Sequence, residues 1–344
     1  MQSRNLIWDQ AKGVAIIAVV AIHASESSLS SPTDSANFKI GITVLQLVDF
    51  AVPLFLAIAG YFSYISYQKN KTNYIWRRSI QLIIPYFVWT IITIFITSRE
   101  NIFDPLFVTR SIFFGTGISI GYYIIVLLQM TILTPLLWRI NSINIHISIL
   151  ILFTITGVTF TYCVQLIFPG SRLSAFPVRV LPFFVWYPFF HMGFFVSYLQ
   201  YRNRLHLPSR QTFYALIAMS VALSFFESLL LIKFGYTTLA ASQTNISSFI
   251  YSATVFLFAT KLSYEKEIKS RPLLEFIGSA SFFIYLTHLL IFRALLYIVP
   301  ASYVPSSVAG VIPVLIVIPI LVCCSCVVII RALFDKKWKT WLGA

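Results

Sequence analysis

Long apolar runs, separated by short polar breaks, occupy almost the whole chain. A helix needs about 20 apolar residues to cross a bilayer core. By that measure the pattern predicts ten helices, at about 11–28, 44–67, 79–97, 119–138, 145–167, 180–200, 211–232, 245–261, 273–297 and 308–331. The longest stretches between them, about 28–43 and 98–118, are too short to bury a core of their own. The expected fold is all-α: one polytopic membrane bundle over residues 1–344, with no appended soluble domain and no internal sequence repeat.

Composition sharpens this picture. Hydrophobic residues make up 58% of the chain and charged residues 10%, with a mean hydropathy of +0.84. A soluble domain carries about 25% charged residues. The net charge of +14 would suit nucleic acid if it formed a patch, but Lys and Arg sit in small clusters at the ends of apolar runs. No nucleic-acid partner is expected; the partner these clusters suit is the lipid bilayer.

The charges also test the count of spans. With the N-terminus inside, alternation puts Arg4, Lys12, Lys69, Lys71, Arg77, Arg78, Arg139, Arg202, Arg204, Arg210, Lys261, Lys266, Lys269, Arg271, Arg331, Lys336, Lys337 and Lys339 in the cytoplasm. Lys39, Arg99, Arg110, Arg172, Arg179 and Lys233 fall outside, and Arg293 lies within the ninth helix. This excess of inner positive charge agrees with ten spans and with both termini in the cytoplasm. Were the first run a cleaved signal peptide, nine spans would remain and the basic loops would change sides. The first helix is therefore expected to stay.

That helix carries the first candidate chemistry. It reads DQAKGVAIIAVVAIHASE over residues 9–26. Lys12 and His23 are eleven residues apart, about three turns plus 20°, so they share a face. Asp9 lies about 40° to one side of His23 and Glu26 about 60° to the other. The result is one polar stripe on a helix otherwise built of Ala, Val and Ile, with His23 about 16 Å along the axis from Lys12. Lys12 alone would read as a topology anchor. An ionisable group at the depth of His23 is costly and points to function, and an imidazole suits proton exchange near neutral pH.

Other polar residues read more plainly. His191, alone among aromatics, suits a structural hydrogen bond between helices. Cys163, Cys323, Cys324 and Cys326 lie inside apolar runs without His or carboxylate at ligand spacing, so they read as packing residues and no metal is expected. Outside, Arg172, Arg179, Asp49 and Glu227 are candidate contacts for an external ligand, which nothing in their spacing identifies.

At this point the chain resembles a known family. Lys12-x10-His23 resembles the Arg/Lys-x10-His signature of the integral-membrane acyltransferase-three family, bacterial O-acyltransferases of surface polysaccharides and related glycoconjugates. VPLFLAIAGYF (52–62) is similar to the family's second-helix stretch, with Ala59 where Ser is usual. Trp76-Arg77-Arg78 resembles its cytoplasmic arginine motif. GYYIIVLLQMTILTPLL (121–137) resembles its aromatic-to-PLL helix, with Tyr122 and Tyr123 at the aromatic pair. FIGSASFFIYLTHLLIF (276–292) is similar to its late helix, which places His288.

The resemblance runs from residue 4 to about 300 and implies a ten-helix core in the bacterial cytoplasmic (inner) membrane. It implies a cytoplasmic acyl-CoA donor, acetyl-CoA above all, and a hydroxyl acceptor on a polysaccharide or lipid-linked glycan. Lys12, Arg77 and Arg78 would then hold the donor's phosphates, with Asp9 pairing Lys12. His23 would act as general base, with a covalent acyl-histidine relay as the variant. Glu26 would orient the imidazole or else be a solvated residue. His288, with Ser281 and Tyr285 on its face, would be a second active-site group. Lys in place of Arg at position 12 changes the detailed phosphate geometry.

Two rival readings stand beside this one. A transporter or flippase for a lipid-linked sugar would suit ten helices with intramembrane His and Glu. No inverted repeat supports it, and Pro182 and Pro188 in the sixth helix have no symmetric match in Pro313 and Pro319 of the tenth. A non-catalytic scaffold would leave the polar stripe unexplained.

Overall fold

The computed structural model describes residues 6–265, 269–298 and 308–344. Arg4 and Lys266, both assigned to the cytoplasm from sequence, lie outside the described residues. Every regular element among the described residues is helical. This follows from the solvent: in lipid, backbone groups must be satisfied within the segment.

The helices are α1 (Leu6–Glu26), α2 (Ala36–Val48), α3 (Ala51–Lys69), α4 (Tyr74–Thr97), α5 (Pro105–Phe113), α6 (Tyr122–Trp138), α7 (Ile143–Tyr162) and α8 (Phe183–Tyr201). They continue as α9 (Arg210–Lys233), α10 (Thr237–Ala240), α11 (Ile246–Ser263), α12 (Pro272–Ser279), α13 (Ser281–Ile298), α14 (Val308–Leu333) and α15 (Lys336–Leu342). Among the described residues eight segments are long and apolar enough to cross a membrane, and α12 with α13 make a ninth if taken as one bent span. The remaining apolar segment is α6, of 17 residues. All ten predicted runs are thus helical, and the protein is a multi-pass membrane protein.

Three details differ from the expectation. The second run begins earlier, at Ala36, because Ser35 caps α2 by accepting from Phe38 N–H and α2 packs on α1. The ninth run is not straight: α12 and α13 meet at Ala280 with a bend of 77°. Small residues there allow it, and Ala280 N–H turns back onto the carbonyls of Phe276 and Ile277. Pro188, conversely, does not interrupt its helix, since α8 runs through it, while Pro182 sits at the N-cap.

The chain divides into two compact units, Met1–Phe55 with His206–Ala332, and Leu56–Leu205 with Leu333–Ala344. In the first, α1 packs against α2, α11, α12 and α13. Its approach to α12 is close enough to require glycine on both helices. A Cβ on Gly13 would stand 2.3 Å from the Leu274 carbonyl oxygen, and one on Gly278 would stand 1.8 Å from that of Asp9. Gln10 locks the pair by donating to the Lys269 carbonyl (3.1 Å) and to Glu275 Oε1 (2.9 Å). In the second unit α8 meets α3 in the same way: Gly60 faces the Phe190 carbonyl at 1.9 Å and Gly193 the Ala57 carbonyl at 1.8 Å, measured from an added Cβ. Small residues that let backbones approach are how membrane helices gain packing without a hydrophobic drive.

Candidate active site

His23 and Glu26 stand at the end of α1, three residues apart and therefore neighbours on its surface. His23 Nδ1 lies 3.0 Å from Glu26 Oε1. An ionised carboxylate only accepts, so Nδ1 carries the hydrogen, and a proton can then be exchanged only at Nε2. The stretch that follows is pinned: Ser25 donates to the Ala21 carbonyl and Ser28 to that of Ser25. Glu26 itself is exposed and His23 mostly covered, at 57% and 16% side-chain exposure.

The bend at Ala280 brings a second imidazole to this place. Because α12 and α13 run in different directions, both pack on α1. His288, on α13, lies beside His23 with ring centroids 5.3 Å apart and the rings tilted by 36°. Its Nδ1 is 2.8 Å from the Ile284 carbonyl and 3.0 Å from that of Tyr285, so Nδ1 again carries the hydrogen. His288 Nε2 is buried with no hydrogen-bond partner. A buried acceptor without a donor is costly. Two imidazoles, each engaged through Nδ1, thus meet beside one carboxylate. The chemistry this arrangement suits is proton transfer from a hydroxyl.

Nearer the start of α1, Lys12 Nζ contacts Asp9 Oδ1 at 2.7 Å, as the i,i+3 spacing predicts. Asp9 is nearly covered (9%) and Lys12 remains 29% exposed. An ammonium has three donors, so the pair leaves Lys12 with capacity for a further anion. Arg77 and Arg78 belong to the second unit. There they line a cleft of about 320 Å³ with Lys69, Tyr74 and Gln81, and Ala59 forms part of its wall.

Asp49 is buried (4%) and Glu227 half-buried, and both are engaged within the fold. Asp49 accepts from the Ser248 hydroxyl, and Glu227 accepts from Ser247 N–H at 2.7 Å, so both serve the first turn of α11. His191 has a partner that sequence reading passed over: His146 Nδ1 lies 2.8 Å from His191 Nε2, and His146 Nε2 is 3.2 Å from the Ile140 carbonyl. The available signal was the rule that singled out His23, an ionisable residue within an apolar run. Among the described residues no group of three or more His, Cys, Asp or Glu is arranged to hold a metal.

The family model described as "Acyltransferase domain" matches residues 5–331. A "Probable poly-beta-1,6-N-acetyl-D-glucosamine export protein" of Staphylococcus aureus (strain N315) is 25% identical over 303 residues, covering 85% of this chain and 83% of that one. The homologous protein of strain MRSA252 is 24% identical over the same shares. "Nodulation protein NolL" of Mesorhizobium japonicum is 30% identical over 105 residues, 30% of this chain and 27% of its own. No solved structure matches. A family match over nearly the whole length of a helical membrane protein places this chain in the acyltransferase-three family of membrane acyltransferases acting on polysaccharide-related substrates.

Proposed function

We propose that the protein is an O-acetyltransferase that takes its acyl group from cytoplasmic acetyl-CoA and transfers it to a sugar hydroxyl of a surface polysaccharide or its lipid-linked precursor. The observation that carries this reading is the fixed tautomer of His23, with Glu26 on Nδ1 and Nε2 as the base. In the proposed step His23 Nε2 takes the hydroxyl proton as the sugar oxygen bonds to the thioester carbonyl carbon. Glu26 stabilises the imidazolium that forms. The C–S bond then breaks, and the imidazolium proton returns to the departing thiolate. His288 Nε2 accepts a hydrogen bond from a second donor on the acceptor. Lys12, steadied by Asp9, supplies a cation for the donor's phosphates. The working location is the bacterial inner membrane.

Mass spectrometry of the glycan tests this. Purified protein receives isotope-labelled acetyl-CoA and the host's glycolipid extract, beside its His23→Ala variant. Label in the glycan with wild type, and a loss on the order of 10²–10⁴-fold in a folded variant, is the expected result. Equal labelling by both would make His23 structural.

A second reading is favoured by one finding, the export wording in the names of the staphylococcal relatives. On that reading the chain moves a glycan without altering it. Reconstituted vesicles separate the two: transport leaves the glycan mass unchanged and needs no acyl donor.

A further inference from the structure

The side of α1 away from Lys12 and His23 has a structure of its own. Counting 100° per residue from Lys12, the positions Ile7, Gln10, Ala11 and Val14 fall between about 160° and 260°, opposite the polar stripe. They form one wall of a cleft of about 490 Å³ within the first unit. Across from them stand Val255, Phe258 and Leu262 of α11 and Leu274 of α12.

The polar residues of this cleft are confined to one end. Arg210 opens α9, Glu265 follows α11, and Lys269 and Arg271 precede α12. Glu265 is held by Arg210, whose Nε lies 2.8 Å from Oε1. The lining of the rim thus carries three cations against one carboxylate, and a second carboxylate, Glu275, stands beside it, accepting from Arg271 N–H at 2.8 Å and from Gln10 at 2.9 Å. From this rim the apolar wall descends from Leu262 to Val255, about 10 Å along the helix. A sugar or a nucleotide would meet no hydrogen-bonding partner along such a wall. An amphiphile with a phosphate at one end and a hydrocarbon chain at the other matches both halves, since Lys and Arg bind phosphate and juxtamembrane cations favour anionic lipid.

We propose that this cleft binds one anionic glycerophospholipid, with its phosphate at Lys269 and Arg271 and an acyl chain along Ile7, Val14, Val255 and Phe258. The site is separate from the His23 stripe and does not depend on the acyl-transfer reading. Occupancy would brace α1 against α11 and α12, the elements that carry or adjoin the two imidazoles.

Native mass spectrometry of the full chain in neutral detergent tests the proposal, with phosphatidylglycerol and phosphatidylcholine of equal chain length as probes. Wild type is expected to retain one phosphatidylglycerol at least 10-fold better than phosphatidylcholine. At roughly 5-fold per cation, K269Q/R271Q is expected to lose about 30-fold. V14W, which fills the apolar wall and leaves the charges intact, is expected to lose retention as well. Thermal unfolding in the same detergent reports whether each variant is folded. Equal retention of the two lipids by wild type would overturn the proposal, whatever the variants do. Unchanged retention in both folded variants would also overturn it. Displacement of phosphatidylglycerol by equimolar acetyl-CoA, or by a polyprenyl phosphate, would assign the cleft to the donor or to a lipid-linked acceptor instead.

Discussion

His23, Glu26 and His288 differ in what each substitution should remove. Glu26→Gln keeps an oxygen for His23 Nδ1–H but loses the negative charge, so the tautomer survives while the imidazolium loses its counter-ion. The expected outcome is a fall in kcat of about 10-fold or more, with KM for acetyl-CoA unchanged, measured by label transfer. The His146–His191 pair gives a stability test at the same scale. His146 Nε2–H donates to the Ile140 carbonyl, so Nδ1 accepts from His191 Nε2–H. His146→Leu strands that donor in a buried site and should cost about 1–3 kcal/mol. The double substitution His146→Leu/His191→Leu removes both partners and should cost less than the single one, read as thermal unfolding in detergent. Spacing put Asp9 within reach of Lys12 and Glu26 within reach of His23, because helical geometry is local, but it left open whether Glu26 holds the imidazole or is solvated. His288 beside His23 was reached only through a resemblance, because residues 265 positions apart share no local rule.

At the scale of elements, paired glycines decide how closely two sets of helices approach. Gly13→Ala and Gly278→Ala would each place a methyl group against a backbone carbonyl of the facing helix, as would Gly60→Ala on α3. A carbonyl on a regular helix cannot swing aside as a side chain can, so the helices must part. The expected cost is about 1–3 kcal/mol in each case, from overpacking. For Gly278→Ala the parting also shifts the α12–α13 corner that positions His288, so label transfer should fall with stability. Unchanged melting and unchanged transfer would show that the helices do not approach this closely. The bend at Ala280 was not legible in FIGSASFFIYLTHLLIF, because an unbroken apolar run is compatible with a straight helix until a neighbour claims one half of it. Gly278 against Asp9 and Arg331 donating to the Ser279 hydroxyl and carbonyl are the contacts that claim it here.

For the whole molecule, the positive-inside bias makes a topology that can be checked. In a variant lacking the four native cysteines, single cysteines replace Asn101 and Asn203. An impermeant maleimide added to intact cells is expected to label the first position and to reach the second only after permeabilisation. Labelling of both from one side would mean that a span has been miscounted. Apolar runs of membrane length determined the helical class, the number of segments and their approximate limits, since the cost of burying backbone and charge in lipid is set by composition over some 20 residues. Helical periodicity likewise determined the polar stripe on α1. Tertiary structure alone decided the rest: the corner between α12 and α13, the meeting of His23 with His288, the partner of His191, the engagement of Asp49 and Glu227 with α11, and the two-sided use of α1. Each depends on which helices pack together and how near. That is settled by small residues and buried polar groups seeking partners across the fold, and a hydropathy pattern carries no record of it.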